Sequence, residues 1–122
     1  VSLLGNSGPY LQYAHARAHS ILIKAAYQPV AGLPEVIEGD EIVLAKKIAA
    51  FPDVMRTAVD TLMPHHICSY LYELAQEFNR FYEHNRVVGD DRSAIRLPLV
   101  AAYATVLQNG LGVLNIPAPT HM

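Results

Sequence analysis

The sequence predicts an all-α fold, a bundle of about five helices, and three observations lead there. Apolar residues recur every three or four positions along almost the whole chain, no segment alternates well enough for a strand, and prolines punctuate one helical pattern from the next. With 122 residues, 52% of them hydrophobic, the chain is long enough for one compact domain that buries roughly two-thirds of its unfolded surface.

The first helix is expected from Pro9 to about Tyr27. Leu11, Ala14, Ala18, Leu22 and Ala25 form its apolar stripe, and a proline in the first turn is harmless because its missing N–H would have no intrahelical partner. The preceding Gly5, Asn6, Ser7 and Gly8 read as a loop needing unusual φ. Gln28 to Gly39 holds two prolines and two glycines and reads as an exposed connector. Asp40 then offers an N-cap to a second helix, whose Leu44, Ile48 and Phe51 lie on one stripe with Lys46 and Lys47 toward water.

Pro52 ends that helix and starts a third, with Val54 or Met55, Ala58 and Leu62 as its apolar face; Pro64 repeats the punctuation. The fourth pattern is the clearest: Ile67, Leu71, Leu74, Phe78 and Phe81 make a continuous seam, flanked by Tyr70, Glu73, Glu77 and Arg80, as far as about His84. Val87 to Asp91 is a turn. Asp91 or Ser93 caps a last helix carrying Leu99, Tyr103, Val106, Leu107 and Leu114. If the cap is Ser93, Pro98 removes one backbone bond and kinks the start; otherwise regular helix begins near Arg96 or Leu97. Asn109, Gly110 and Gly112 weaken its end, and Pro117 and Pro119 stop it.

Composition excludes several classes of function. The longest near-apolar run, Leu97 to Leu107, is interrupted by Pro98 and Thr105 and falls far short of the roughly 20 residues a bilayer span requires. The opening has neither the basic nor the long apolar region of a secretory signal, and the single cysteine, Cys68, suits a reducing cytoplasm. A net charge of −2 argues against nucleic-acid binding driven mainly by phosphate neutralisation, so any such contact is expected to be local.

The candidates for chemistry are few. Ser20, Ser69 and Cys68 sit inside helical patterns without a nucleophile elbow, so no catalytic residue is expected. His15 with His19, and His65 and His66 with Cys68, are potential soft ligands, yet they lack the intervening glutamate or paired cysteines of a strong metal motif, and no metal is expected. No glycine-rich phosphate cradle occurs. The first helix is different, because Tyr10, Tyr13 and Arg17 share a face beside the Leu11, Ala14 and Ala18 stripe. Two aromatic rings and a guanidinium suit an unstacked base and its phosphate. The same spacing also suits tyrosines half-buried at the edge of a core.

A resemblance bears on that choice. "GNSGPYLQYAHAR", Gly5 to Arg17, resembles the junction in arginyl-tRNA synthetases where a glycine-bearing loop enters the first helix of the C-terminal DALR anticodon-binding domain. "YLYELAQEFNRFYE", Tyr70 to Glu83, is similar to that domain's fourth helix, and "RLPLVAAYATVLQNGLGVLNIPAP", Arg96 to Pro119, to its final helix and tail. The chain departs from the pattern in two places: Pro98 stands where a small residue is usual, and the ending Pro119, Thr120, His121, Met122 replaces one expected positive charge with histidine.

The resemblance implies that residues 1–8 join this chain to a Rossmann-type catalytic domain and that residues 9–122 form the anticodon-binding bundle. The parent would be a cytoplasmic arginine-tRNA ligase, a class I synthetase using ATP with magnesium. The HIGH- and KMSKS-like signatures of that chemistry are absent here, so this chain is expected to bind and not to catalyse, with no cofactor of its own. Its partners would be arginine tRNA and the enzyme's own catalytic domain, with neither membrane nor DNA involved.

Arginine codons are CGN, AGA and AGG, so the central cytosine is the anticodon base common to all arginine tRNAs. The resemblance brings Asn6, Gly8 and the start of the first helix to the anticodon, with Tyr10, Tyr13 and Tyr70 as aromatic contacts and Met122 covering a base. It gives Arg17 and Arg96 to phosphates, unless they are structural ion pairs with Glu73, Glu77 or Asp91. The rival class is a helical module that takes a partner protein's helix into an apolar groove.

Overall fold

Helix α1 spans Leu3–Lys24 in the computed structural model, which describes residues 3–29 and 36–122, the side chains of 3–7 excepted. The helix thus begins before Pro9, and Gly5 to Gly8, expected as a loop, has helical backbone. Helix can run through Pro9 because a proline removes a single bond, the one to the carbonyl four residues back. That residue is Gly5. Four further helices follow, α2 (Asp40–Ala49), α3 (Phe51–Thr61), α4 (His65–His84) and α5 (Ser93–Val113), and the described residues contain no strand. The expected connector from Gln28 to Gly39 falls partly on residues outside those described.

Three helices close in the same way. Ala26 takes a left-handed φ of 52° after α1; its N–H donates to the Ile23 carbonyl and that of Tyr27 to the Leu22 carbonyl, both at 3.0 Å. This double-bonded terminus usually has glycine at the left-handed position, and its formation at Ala26 stops α1 before the expected Tyr27. Asn115 (φ 60°) closes α5 likewise. At the end of α3 the left-handed residue is Leu62 (φ 55°), with its own N–H on Val59 and that of Met63 on Ala58. Leu62 is therefore 84% exposed, not part of the apolar face on which its spacing placed it.

Helix starts also depart from the expected caps. Gly39 occupies the N-cap of α2, and Asp40 is the first helical residue; its carboxylate accepts a 2.9 Å bond from Asn85. Ser93 opens α5, its Oγ accepting the Asp90 N–H at 2.9 Å and donating to the Val87 carbonyl. Regular helix then continues through Pro98.

Helix α4 is the hub, packed against each of the other four, while α1 lies along α5 and α4. Its seam of Ile67, Leu71, Leu74, Phe78 and Phe81 is buried against Leu11, Ala18 and Ile21 of α1, Leu44 of α2, Ala58 of α3, and Val100, Tyr103, Leu107 and Leu111 of α5. Burying a leucine of this kind contributes about 1.5 to 3 kcal/mol. Gly110, expected only to weaken α5, lies against α4: a methyl group there would approach both Leu71 Cδ atoms to 2.7 Å. The close approach of the two helices needs a residue without a side chain.

Beyond α5 the chain turns back along α1. Gln12 donates to the Pro117 carbonyl at 3.0 Å, His15 Nδ1 to the Pro119 carbonyl at 2.8 Å, and Ile116 lies next to Gly8. Gly8, Gln12 and His15 fall within about 60° around a helix that turns about 100° per residue. They form one flank of α1 and the tail covers it. No described helix is long and apolar enough to cross a membrane.

Candidate functional site

The opposite flank of α1 carries Tyr10, Tyr13 and Arg17, also within about 60° of one another. It meets the side of α4 that presents Tyr72, Asn79 and Tyr82. The Tyr10 and Tyr72 rings lie 5.1 Å apart at 40°. Asn79 links the helices, its Nδ2 donating to the Tyr10 hydroxyl at 3.1 Å and its Oδ1 accepting from Arg17 Nη1 at 3.3 Å. The Arg17 guanidinium stands 5.2 Å over the Tyr82 ring, and Tyr82 in turn stacks on the buried Phe78 at 5.8 Å. Tyr13 is 60% exposed. Tyr72 is 39% exposed, so the surface presents two rings to solvent, Tyr13 the more open, with a cation fixed beside them.

Other expected site residues lie elsewhere. Tyr70 is only 5% exposed. Its ring stacks on Phe51 at 5.9 Å and its hydroxyl donates to the Lys47 carbonyl at 2.6 Å, and burial pushes that hydroxyl up to about 12. It sits about half a helical turn around α4 from Tyr72 and Asn79, so it anchors α2 to α4 and does not join the open surface. Gly8 is buried under the tail. Met122 is 71% exposed, at the end of a tail fastened to the other flank of α1. The side chain of Asn6 lies outside the described residues.

Arg96 is held in an ion pair, with an acid that the spacing did not single out. Its Nε donates to Glu41 Oε2 at 2.8 Å, its Nη1 to the Arg86 carbonyl at 2.8 Å, and Asp90 lies 3.6 Å away. Arg92 reaches the same buried Glu41 through its Nε at 2.6 Å. Of the expected acidic partners, Glu73 pairs with Lys47 and Glu77 with Arg80. Glu41 was legible in one respect: it lies three and seven residues before Leu44 and Ile48, on the stripe that α2 buries. An acid in phase with an apolar stripe calls for a buried cationic partner.

His15 is buried and bonded to the tail, and Cys68 is buried and free. Among the described residues no three His, Cys, Asp or Glu side chains gather as a metal site.

Residues 11–122 match the family described as the DALR anticodon binding domain. The chain belongs to that family. It is 42% identical to the arginine–tRNA ligase of Thermobifida fusca over 127 aligned positions, which take in all of this chain and 22% of that protein. It is 47% identical to the arginine–tRNA ligase of Methanoregula boonei across 92% of this chain and 20% of that one. The solved arginyl-tRNA synthetase of Thermus thermophilus superposes with a TM-score of 0.84 at 36% identity, over 99% of this chain and 22% of that structure. The DALR chain therefore spans about a fifth of the length of these relatives.

Within this DALR domain the two classes of arginine are clearly separated. Arg92 and Arg96 are held by carboxylates in the α2 and α5 region, whereas Arg17 has no carboxylate partner among the described residues. Its neighbours are an amide and aromatic rings, which orient the guanidinium without neutralising it. A stacking ring and an uncompensated guanidinium are together able to hold a splayed nucleotide by its base and its phosphate.

Proposed function

We propose that this chain binds the anticodon of arginine tRNA as the recognition domain of an arginine-tRNA ligase, reading the central cytosine on the surface formed by Tyr10, Tyr13 and Arg17. The observation that carries the reading is the pairing of the exposed Tyr13 ring with the carboxylate-free Arg17 on one flank of α1. Stacking on Tyr13 tolerates any base, so discrimination for cytosine falls to hydrogen bonds at its edge. Asn6 and Met122 are kept as candidate contacts, whereas Gly8, Tyr70 and Arg96 serve the fold.

In this reading residues 1–8 lead toward the catalytic domain, which is the chain's protein partner and the holder of ATP and magnesium, in the cytoplasm. The domain's share in the reaction is to couple a correct anticodon to productive placement of the distant acceptor end. Tyr13→Ala is expected to weaken binding of an arginine anticodon stem-loop by about 1 to 3 kcal/mol, the scale of one base on one aromatic ring. Because Tyr13 is exposed, the melting temperature stays unchanged. Calorimetric titration of the two proteins at one salt concentration checks this; equal affinities would remove Tyr13 as a platform.

A further inference from the structure

Beneath the Tyr10, Tyr13 and Arg17 surface lies a slot of about 60 Å³, floored by Phe78 and by Tyr103 from α5. Tyr103 is 1% exposed and its ring stacks on Phe78 at 4.1 Å and 7°. Its hydroxyl has no hydrogen-bond partner among the described residues. Leaving a buried hydroxyl unpartnered is costly, and phenylalanine would fill the same stack without that cost. The hydroxyl therefore calls for a partner from outside the chain.

The lining says what kind. Asn79 uses its carbonyl on Arg17 and its amide on Tyr10, and the slot's other potential donors are the Tyr10 O–H, the remaining Arg17 N–H groups and the unpartnered Tyr103 O–H. No carboxylate lines the slot. Burial, reinforced by Tyr10 and opposed by Arg17, pushes the Tyr103 hydroxyl above the ordinary tyrosine range, so it stays protonated and able to donate. The slot has room for water-sized groups and so admits a protruding oxygen.

We infer that Tyr103 is a further RNA-binding residue, its Oη donating a hydrogen bond to one acceptor oxygen of the nucleotide stacked on Tyr13. That oxygen belongs either to the base, as a ring carbonyl, or to the adjoining phosphate. The inference rests on the anticodon-binding reading given above.

The test is Tyr103→Phe, with Tyr13→Ala alongside, titrated against an arginine anticodon stem-loop and the same RNA with an abasic central nucleotide. Tyr103→Phe is expected to weaken binding of the intact RNA about five- to tenfold, the worth of one hydrogen bond, without lowering the melting temperature. If that loss vanishes on the abasic RNA, the oxygen is the base carbonyl; if it persists, the oxygen is the phosphate's. Unchanged affinity for Tyr103→Phe beside a loss for Tyr13→Ala would overturn the slot and leave anticodon binding standing. A lower melting temperature for Tyr103→Phe would show the hydroxyl already engaged within the fold and would also overturn the assignment. No RNA binding by the unsubstituted chain would sink both.

Discussion

Glu41→Gln is expected to destabilise the bundle by about 3 to 5 kcal/mol, the usual result of removing one partner from a buried ion pair. Glutamine keeps the volume and one acceptor but leaves Arg92 and Arg96 facing each other without the carboxylate that both bond. Asp90 and Glu38 lie at 3.6 and 3.4 Å from Arg96 and Arg92, yet neither reaches the geometry of Glu41. The cluster joins α2 to the start of α5, so its loss loosens the packing of those two helices. Urea denaturation of the two proteins measures the effect, and a loss below about 1 kcal/mol would mean that solvent already screens the cluster.

The same residue gives a pH signature. The hydrogen bond from Arg92 holds the Glu41 carboxyl down at about 2 against an ordinary 4.5; burial opposes it, and Arg96 and the Glu38 N–H assist. Because the folded value lies below the unfolded one, the stabilisation is complete above about pH 4.5 and is lost as pH falls toward 2. The stability difference between wild type and Glu41→Gln should therefore shrink across that interval. A difference constant down to pH 2 would contradict the ion-pair account.

Leu74→Ala is expected to cost about 2 to 5 kcal/mol by the same urea assay. Leu74 is fully buried in the helix that touches all four others, so no single neighbouring element can close the gap left by its side chain. A change within about 0.5 kcal/mol would mean that α4 is not the hub.

The helices were legible because each buries one stripe against a common partner, and the spacing of Leu71, Leu74, Phe78 and Phe81 records that directly. Their ends were less so. Leu62 occupies a left-handed position that favours glycine, and the hydrogen bonds that hold it there involve backbone alone, which leaves no trace in residue type. Gly110 illustrates a second gap: its role depends on the distance between α4 and α5, a tertiary quantity.

For the candidate site, the α1 residues were visible in the sequence and their α4 partners were not. Tyr10, Tyr13 and Arg17 stood out by spacing, but whether a tyrosine faces solvent or core turns on which neighbour packs there. Tyr70 shows this, because its motif was read as a contact surface and its hydroxyl is bonded to the backbone of α2. Asn79 and Tyr82 complete the surface from 69 and 72 residues away in sequence from Tyr10, a juxtaposition that only the packing of α1 on α4 creates.

The most direct test of anticodon reading is an NMR titration of this chain with an arginine anticodon stem-loop and with its central C-to-U variant, at one fixed salt concentration. The account predicts shifts of the Tyr10, Tyr13 and Arg17 amides with the cytosine RNA that are much weaker with the uridine RNA. Equal shifts with both, or none with either, would contradict it.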